Sequence, residues 1–133
     1  MLIRAWKLTN DPTYRSGAIL SAQMALGANP NNKCYTSGLG RNPMHYPLYL
    51  DAEVQGKDTP DGYPAIGPYN PLSTNAGFTN QIERLTPMFT PGYKSWPMTE
   101  FCLDSGQVHH VDEHLPNITG WVVYLYGSLI KHS

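Results

Sequence analysis

PNITGWVVYLYGSLI, residues 116–130, is the stretch whose reading decides the fold. Pro116 suits the first position of a helix, where its missing N–H would have no partner in any case. Behind it, Trp121, Val122, Tyr124, Leu125, Leu129 and Ile130 spread over most of the circumference. A helix that is apolar nearly all round belongs among other helices, and Gly120 and Gly127 allow close approach. The remaining helical segments are too few to enclose it. The expectation is therefore that partner helices lie outside residues 1–133 and that the chain is no complete independent domain.

The opposite end tells the same story. Leu2, Ile3, Ala5, Trp6 and Leu8 follow a helical period with no capping residue before them. Thr9-Asn10-Asp11-Pro12 then breaks the helix, with Asp11 as N-cap and Pro12 as first residue of a second helix over residues 12–26. Gly27 ends it, so the two segments read as an antiparallel helical hairpin. From Ala28 to Thr74 no helical period appears, and GANPNN, SGLGRNP, DTPDGYP and IGPYNP are turn chemistry. Ordered loops of this length are usually functional. Short strands are expected at residues 33–36 and 46–54 and a short helix at 76–85. Pro87, Pro91 and Pro97 keep the next segment irregular. The fold class expected is all-α with long ordered loops.

Composition narrows the function. A charged fraction of 14% beside 41% hydrophobic residues marks a globular chain. Nine scattered Lys and Arg residues and a net charge of −1 give no electrostatic footprint for nucleic acid or an anionic membrane. No apolar run is long enough to span a bilayer, and MLIRAWKL lacks the features of a signal peptide. Nine Tyr, three Trp and three Phe in a weakly charged chain suit an uncharged ring-shaped ligand such as a sugar. Cys34 and Cys102 can pair or stay free thiols, and Asn117-Ile118-Thr119 is a glycosylation sequon on paper.

HHVDEHLPN, residues 109–117, contains H-x-x-E-H, the inverted zinc-protease pattern. Such a site needs both histidines on one face of a continuous helix. Pro116 stands two residues after His114; it would remove a backbone donor, clash with the Asp112 carbonyl and disfavour helix at Leu115. The run therefore reads as the end of an irregular segment, and no metal is expected on it.

Taken in order, the turns resemble another pattern. Leu8-Thr9-Asn10-Asp11-Pro12-Thr13-Tyr14 looks like a helix, Thr-Gly-Asp-x-x-Tyr turn and next helix. Leu26-Gly27-Ala28-Asn29-Pro30 is similar to a Leu-Gly-x-Asn-Pro helix exit, and Tyr35-Thr36-Ser37-Gly38-Leu39-Gly40 to Tyr-Val-Thr-Gly-x-Gly. Residues 60–71, PDGYPAIGPYNP, look like Pro-Gly-hydrophobic-Gly-Gly-Pro-Asn. Val111-Asp112-Glu113, followed by Asn117 and an apolar helix, resembles a Ser-Asn-Glu stretch before a final helix. In this order the segments resemble the C-terminal third of family 9 glycoside hydrolases, cellulase-type enzymes built on an (α/α)6 barrel. The resemblance covers nearly the whole chain.

The resemblance implies an inverting glycosidase of β-linked glucan or a related polysaccharide, without cofactor or metal. Glu113 falls where the family keeps its general acid, with Asp112, Trp96 and Tyr124 as candidates for its surroundings. The family's base aspartates lie in an upstream motif that this chain lacks, so the chain alone is expected to be inactive, and the rest of the barrel becomes an expected partner. Extracellular or periplasmic location is implied in the same way. One segment departs: where the family carries Pro-His-His-Arg, this chain has Pro47-Leu48-Tyr49-Leu50. Tyr49 and Asp51 then become candidates for holding the sugar, with His45 as a partial substitute and Tyr69 and Trp96 as further aromatic contacts. For Tyr35, Tyr49, Tyr69 and Trp96 the alternative is core packing. The departure also leaves a competing reading, a non-catalytic glycan-binding or scaffold domain of the same architecture. The enzyme reading expects Glu113 to face an aromatic-lined groove beside the long loop, and the scaffold reading survives if Glu113 points to bulk solvent or is locked in an ion pair away from any cleft.

Overall fold

The computed structural model describes residues 1–130. Every regular element among them is helical, and β pairing is confined to isolated bridges. The all-α expectation holds.

Helix α1 (Leu2–Thr9) starts at Met1 without a side-chain cap and ends on Asn10 in left-handed conformation, φ 57°. Asp11 restarts the chain by accepting the Thr13 amide at 2.8 Å, with Pro12 opening helix α2 (Pro12–Ala25). The two run antiparallel, since Arg15 lies 5.4 Å over the Trp6 ring and Gly17 faces Leu2. A Cβ at Gly17 would come within 3.2 Å of a Leu2 methyl, so glycine sets the closeness of the hairpin. Ile3, Ala18 and Ala22 are its buried residues.

Beyond α2 the chain turns on Asn29, whose Nδ2 donates to the Met24 and Lys33 carbonyls at 2.7 and 2.8 Å. Residues 33–36 form no strand; Cys34 bridges Pro43 and Thr36 bridges Pro64 as single pairs. The strand expected over residues 46–54 is also absent. Leu48 alone makes a bridge, and Leu50–Val54 closes into a short helix, α3. Asp51 and Glu53 in its first turn complement the helix dipole, and burial of Ala52 holds it down.

Helix α4 (Ala76–Leu85) is capped by Asn75, which accepts the Gly77 and Phe78 amides at 2.9 and 3.2 Å. Its apolar face carries Phe78 and Ile82 into the main core, where Tyr93, Phe101, Val108 and Val111 meet them. Short 3-10 turns at Thr86–Met88 and Tyr93–Ser95 follow the prolines of this region. The irregular ending expected for the histidine-rich run is instead a single helical turn, α5 (His109–Asp112). Fully buried Val108 and Val111 anchor that turn to the core.

Helix α6 (Pro116–Leu129) begins at the anticipated proline. Within the described residues none of its side chains is buried: Trp121 is 67% exposed and Val123 64%. It touches α2, and together α1, α2 and α6 line an open apolar groove that includes Leu2, Trp121, Tyr124 and Leu125. No helix of the described residues is long and apolar enough to cross a membrane.

Candidate functional site

Glu113 sits at the seam between α5 and α6, in extended conformation at φ −61°, ψ 135°. Three remote segments meet it through the backbone. Leu48 bridges Glu113, with its amide donating to the Asp112 carbonyl at 2.8 Å. The Ile66 amide donates to the Glu113 carbonyl at 3.1 Å and the Gly67 amide to Val111 at 3.0 Å. The Ala65 amide in turn donates to the Tyr35 carbonyl at 2.8 Å, which adds the Tyr35–Ser37 segment. Hence the turn-rich stretches at residues 34–37, 47–48 and 64–67 are laced together around Glu113, between α5 and the last helix. Glu113 itself is half-buried. Among the described residues the ion pair is Lys33–Asp104, and none of their cations pairs with the Glu113 carboxylate.

Beside it runs a chain of rings. Tyr63 packs at a tilt, 4.3 Å from His114, and Tyr49 lies 4.6 Å from Tyr63. The Tyr49 hydroxyl is 3.4 Å from the Asp51 carboxylate. The adjacent Tyr63 phenol, and then Asp51, push Tyr49 up to about 12, so it stays a neutral hydrogen-bond donor. His114 is fixed through Nδ1 against the Pro64 carbonyl at 3.2 Å and Nε2 against the Thr119 hydroxyl at 3.4 Å. A small cleft of about 120 Å³ opens next to Tyr49, between Tyr46, Leu48, Lys57 and Ser105; Glu113 is not in its lining.

The segment carrying His45 is pinned by a charge. Asp104 accepts the His45 amide at 2.9 Å, the Tyr46 amide at 2.7 Å and Lys33 Nζ at 2.7 Å. Burial alone would raise its pKa, yet Lys33 and the two amides hold it below the usual carboxylate value. Asp104→Ala strands those amides and Lys33, so we expect a loss of about 1–3 kcal/mol in urea unfolding at neutral pH. A change below a few tenths would show that the 43–46 turn does not depend on it.

The sequence candidates thus separate into two groups. Tyr49 and Asp51 lie on the strip that reaches Glu113 through Leu48, and exposed His45 lines a neighbouring cleft with Asp58 and Asp61. Tyr69 packs 4.9 Å from Phe78 and 5.1 Å from His110, at the margin of the core. Trp96 lies 6.4 Å from Phe101 and donates from Nε1 to the Pro91 carbonyl at 2.9 Å. For these two, packing is the role their contacts describe. Tyr124, a candidate neighbour of Glu113, lines the α1–α2–α6 groove instead. Tyr63 and Asp104 were not singled out by sequence reasoning, and His114 was considered only as a metal ligand; the turn dipeptides around Tyr63 were its only signal.

The metal pattern does not assemble. Helix α5 stops at Asp112 and α6 begins at Pro116, so His110 and His114 share no helical face. His110 packs against Tyr69 and Phe78, whereas His114 packs against Tyr63. Among the described residues no group of three or more His, Cys, Asp or Glu side chains is placed to hold a metal ion. Cys34 and Cys102 are unbridged. Burial, and then the Asp112 carboxylate, push Cys102 up to about 12, which leaves it a neutral thiol and no nucleophile.

Asp112 is fully buried. Burial pushes it up to about 6, against the opposing hydrogen bonds from Ser105, Val108 and Gln107. A carboxyl with a raised folded-state pKa stabilises the fold at low pH: the contribution is complete below the unfolded value of 3.8 and is lost as pH rises through about 6. The wild-type urea midpoint should therefore fall between about pH 4 and pH 7 relative to Asp112→Asn, by the equivalent of roughly 3 kcal/mol. Parallel pH profiles for the two proteins would contradict a charge-disfavouring site at Asp112.

Scanned against protein-family models the chain matches none, and no curated protein is significantly similar to it. The functional reading therefore stands on the motifs and their geometry.

Proposed function

We propose that the chain is the C-terminal part of an inverting glycoside hydrolase of the family 9 type, acting on a β-linked glucan or related polysaccharide. The observation that carries the proposal is the convergence on Glu113. The segments whose order resembles that family, spread from residue 34 to residue 67, are hydrogen-bonded to one another and to the backbone around this glutamate. In this reading Glu113 is the general acid, protonating the glycosidic oxygen as the bond breaks, while a carboxylate supplied by the rest of the barrel activates water. Tyr49, Tyr63 and His114, tilted against one another, are the proposed ring contacts for a pyranose, with Asp51 a polar group beside them. Exposed Trp121, Val123 and Tyr124 on α6 fit a helix meant to be covered by further barrel helices, the (α/α)6 arrangement.

Glu113 is half-buried and, among the described residues, in no ion pair, while the cleft beside Tyr49 is lined without it, so the scaffold alternative stands beside the acid role. Hydrolysis of β-glucans by the natural protein, with and without Glu113→Gln, tests the proposal. Hydrolysis that depends on Glu113 supports it, and equal rates in both proteins remove the assignment.

A further inference from the structure

We propose that Asp112 is the positioning residue for Glu113, its side chain closing the turn from which Glu113 is presented. The proposal rests on the reading of Glu113 as general acid, but its structural half can be tested without it. Asp112 Oδ2 accepts the Ser105 hydroxyl at 2.8 Å and the amides of Gln107 and Val108 at 3.1 and 3.2 Å. Those donors stand at the start of the turn, whereas Asp112 stands at its end, one residue before Glu113. A single oxygen therefore joins entry to exit.

The same residue docks the turn to the neighbouring strip. Its carbonyl accepts the Leu48 amide at 2.8 Å, and its amide donates to Val108 at the same distance. Glu113 inherits both constraints, because its own amide donates to His109 at 2.9 Å and its carbonyl accepts Ile66 at 3.1 Å. A carboxylate that must meet a glycosidic oxygen within hydrogen-bond reach gains from such fixation, since misplacement by about 1 Å can cost on the order of 10²-fold in rate.

The hydrogen bonding is one-sided. Oδ2 carries all the partners, while Oδ1 is buried with none. What the turn uses is one accepting oxygen, and an asparagine Oδ1 supplies the same. Cys102 is the titratable neighbour from the preceding segment, with the Lys33–Asp104 pair beyond it. Alanine should therefore release the turn and asparagine should rescue it.

The test uses the isotopically labelled chain in two-dimensional amide spectra. Asp112→Ala and Ser105→Ala are expected to shift the Glu113, Leu48 and Ile66 amides, and Asp112→Asn to keep them near their wild-type positions. Unmoved amides in a folded Asp112→Ala, or asparagine shifts as large as those of alanine, overturn the proposal. Should Asp112→Ala fail to fold, Ser105→Ala decides alone, because it removes one donor and leaves the carboxyl; an unmoved Glu113 amide then overturns the idea. In the natural protein, Asp112→Ala should lower kcat by about 10²-fold at nearly unchanged KM, with asparagine restoring most of it. A raised KM at unchanged kcat contradicts a positioning role. Amide shifts together with an inactive wild-type protein would remove the general-acid reading while leaving the turn-closing role of Asp112 in place.

Discussion

If Glu113 is the proposed general acid, Glu113→Gln is expected to lower hydrolysis of a β-linked glucan by about 10²–10⁴-fold, the range that loss of a positioned general acid produces. The substitution keeps size and hydrogen-bonding capacity but removes the transferable proton. The backbone of Glu113 is held by Ile66 and His109 and not by its own side chain, so glutamine leaves the turn intact. Rates measured on the natural protein, with amide spectra confirming an unaltered fold, isolate the chemistry. Binding of an oligosaccharide should change little, because Tyr49, Tyr63 and His114, the proposed sugar contacts, are untouched. A rate within twofold of wild type would return Glu113 to the scaffold alternative.

Phe101→Ala is the largest expected loss of stability. Phe101 is fully buried and faces the rings of Phe89 at 5.7 Å, Phe78 at 6.2 Å and Tyr93 at 6.3 Å. Truncating such a phenylalanine removes its transfer free energy and leaves a cavity that rigid aromatic neighbours cannot collapse into, a loss of about 3–5 kcal/mol. Typical domains have about 5–15 kcal/mol in all, so a chain at the low end of that range would unfold. The backbone adds a connection to the site, since the Phe101 carbonyl accepts the Tyr69 amide at 3.1 Å, two residues beyond Gly67. Urea unfolding beside Leu72→Ala, which truncates an exposed side chain and should stay within about 0.5 kcal/mol, checks the ranking. Equal midpoints for the two variants would mean that the ring cluster is not the core.

The helices were legible where a side chain announces an end. Asp11-Pro12 and Pro116 each open a helix at the anticipated residue, the short helix expected at 76–85 is α4, and Gly27 follows the end of α2. Helix α3 was not, because Leu50–Val54 has no period long enough to outweigh the β-like Tyr46–Leu48 run before it. The turn α5 was missed for a different reason: it is held by Asp112 reaching back to Ser105 and Val108, a tertiary closure that no propensity encodes. At the candidate site the motif order singles out Glu113, and its role there is a proposal. Its ring neighbours were less legible, since His114 meets Pro64 across 50 residues of chain. Trp96 and Tyr69 show the converse; aromatic residues in irregular sequence suggested ligand contact, yet they pack against Phe101 and Phe78. Aromaticity alone does not tell a platform from a core.

The groove between α1, α2 and α6 bears on the remaining expectation. Trp121 and Val123 are more than half exposed on a helix whose sequence suits burial. Covering one such side chain is worth about 1.5–3 kcal/mol, so partner helices from the rest of a barrel would add substantially to the stability of this hairpin-and-helix unit.

The most direct measurement is the dependence of the Glu113→Gln defect on the leaving group. A general acid matters in proportion to the need of the departing oxygen for a proton. With the natural protein, the account predicts a defect of about 10²–10⁴-fold on a β-linked oligosaccharide and almost none on a β-glycoside of an acidic phenol such as dinitrophenol. The same defect on both substrates would contradict the assignment of Glu113 as the acid.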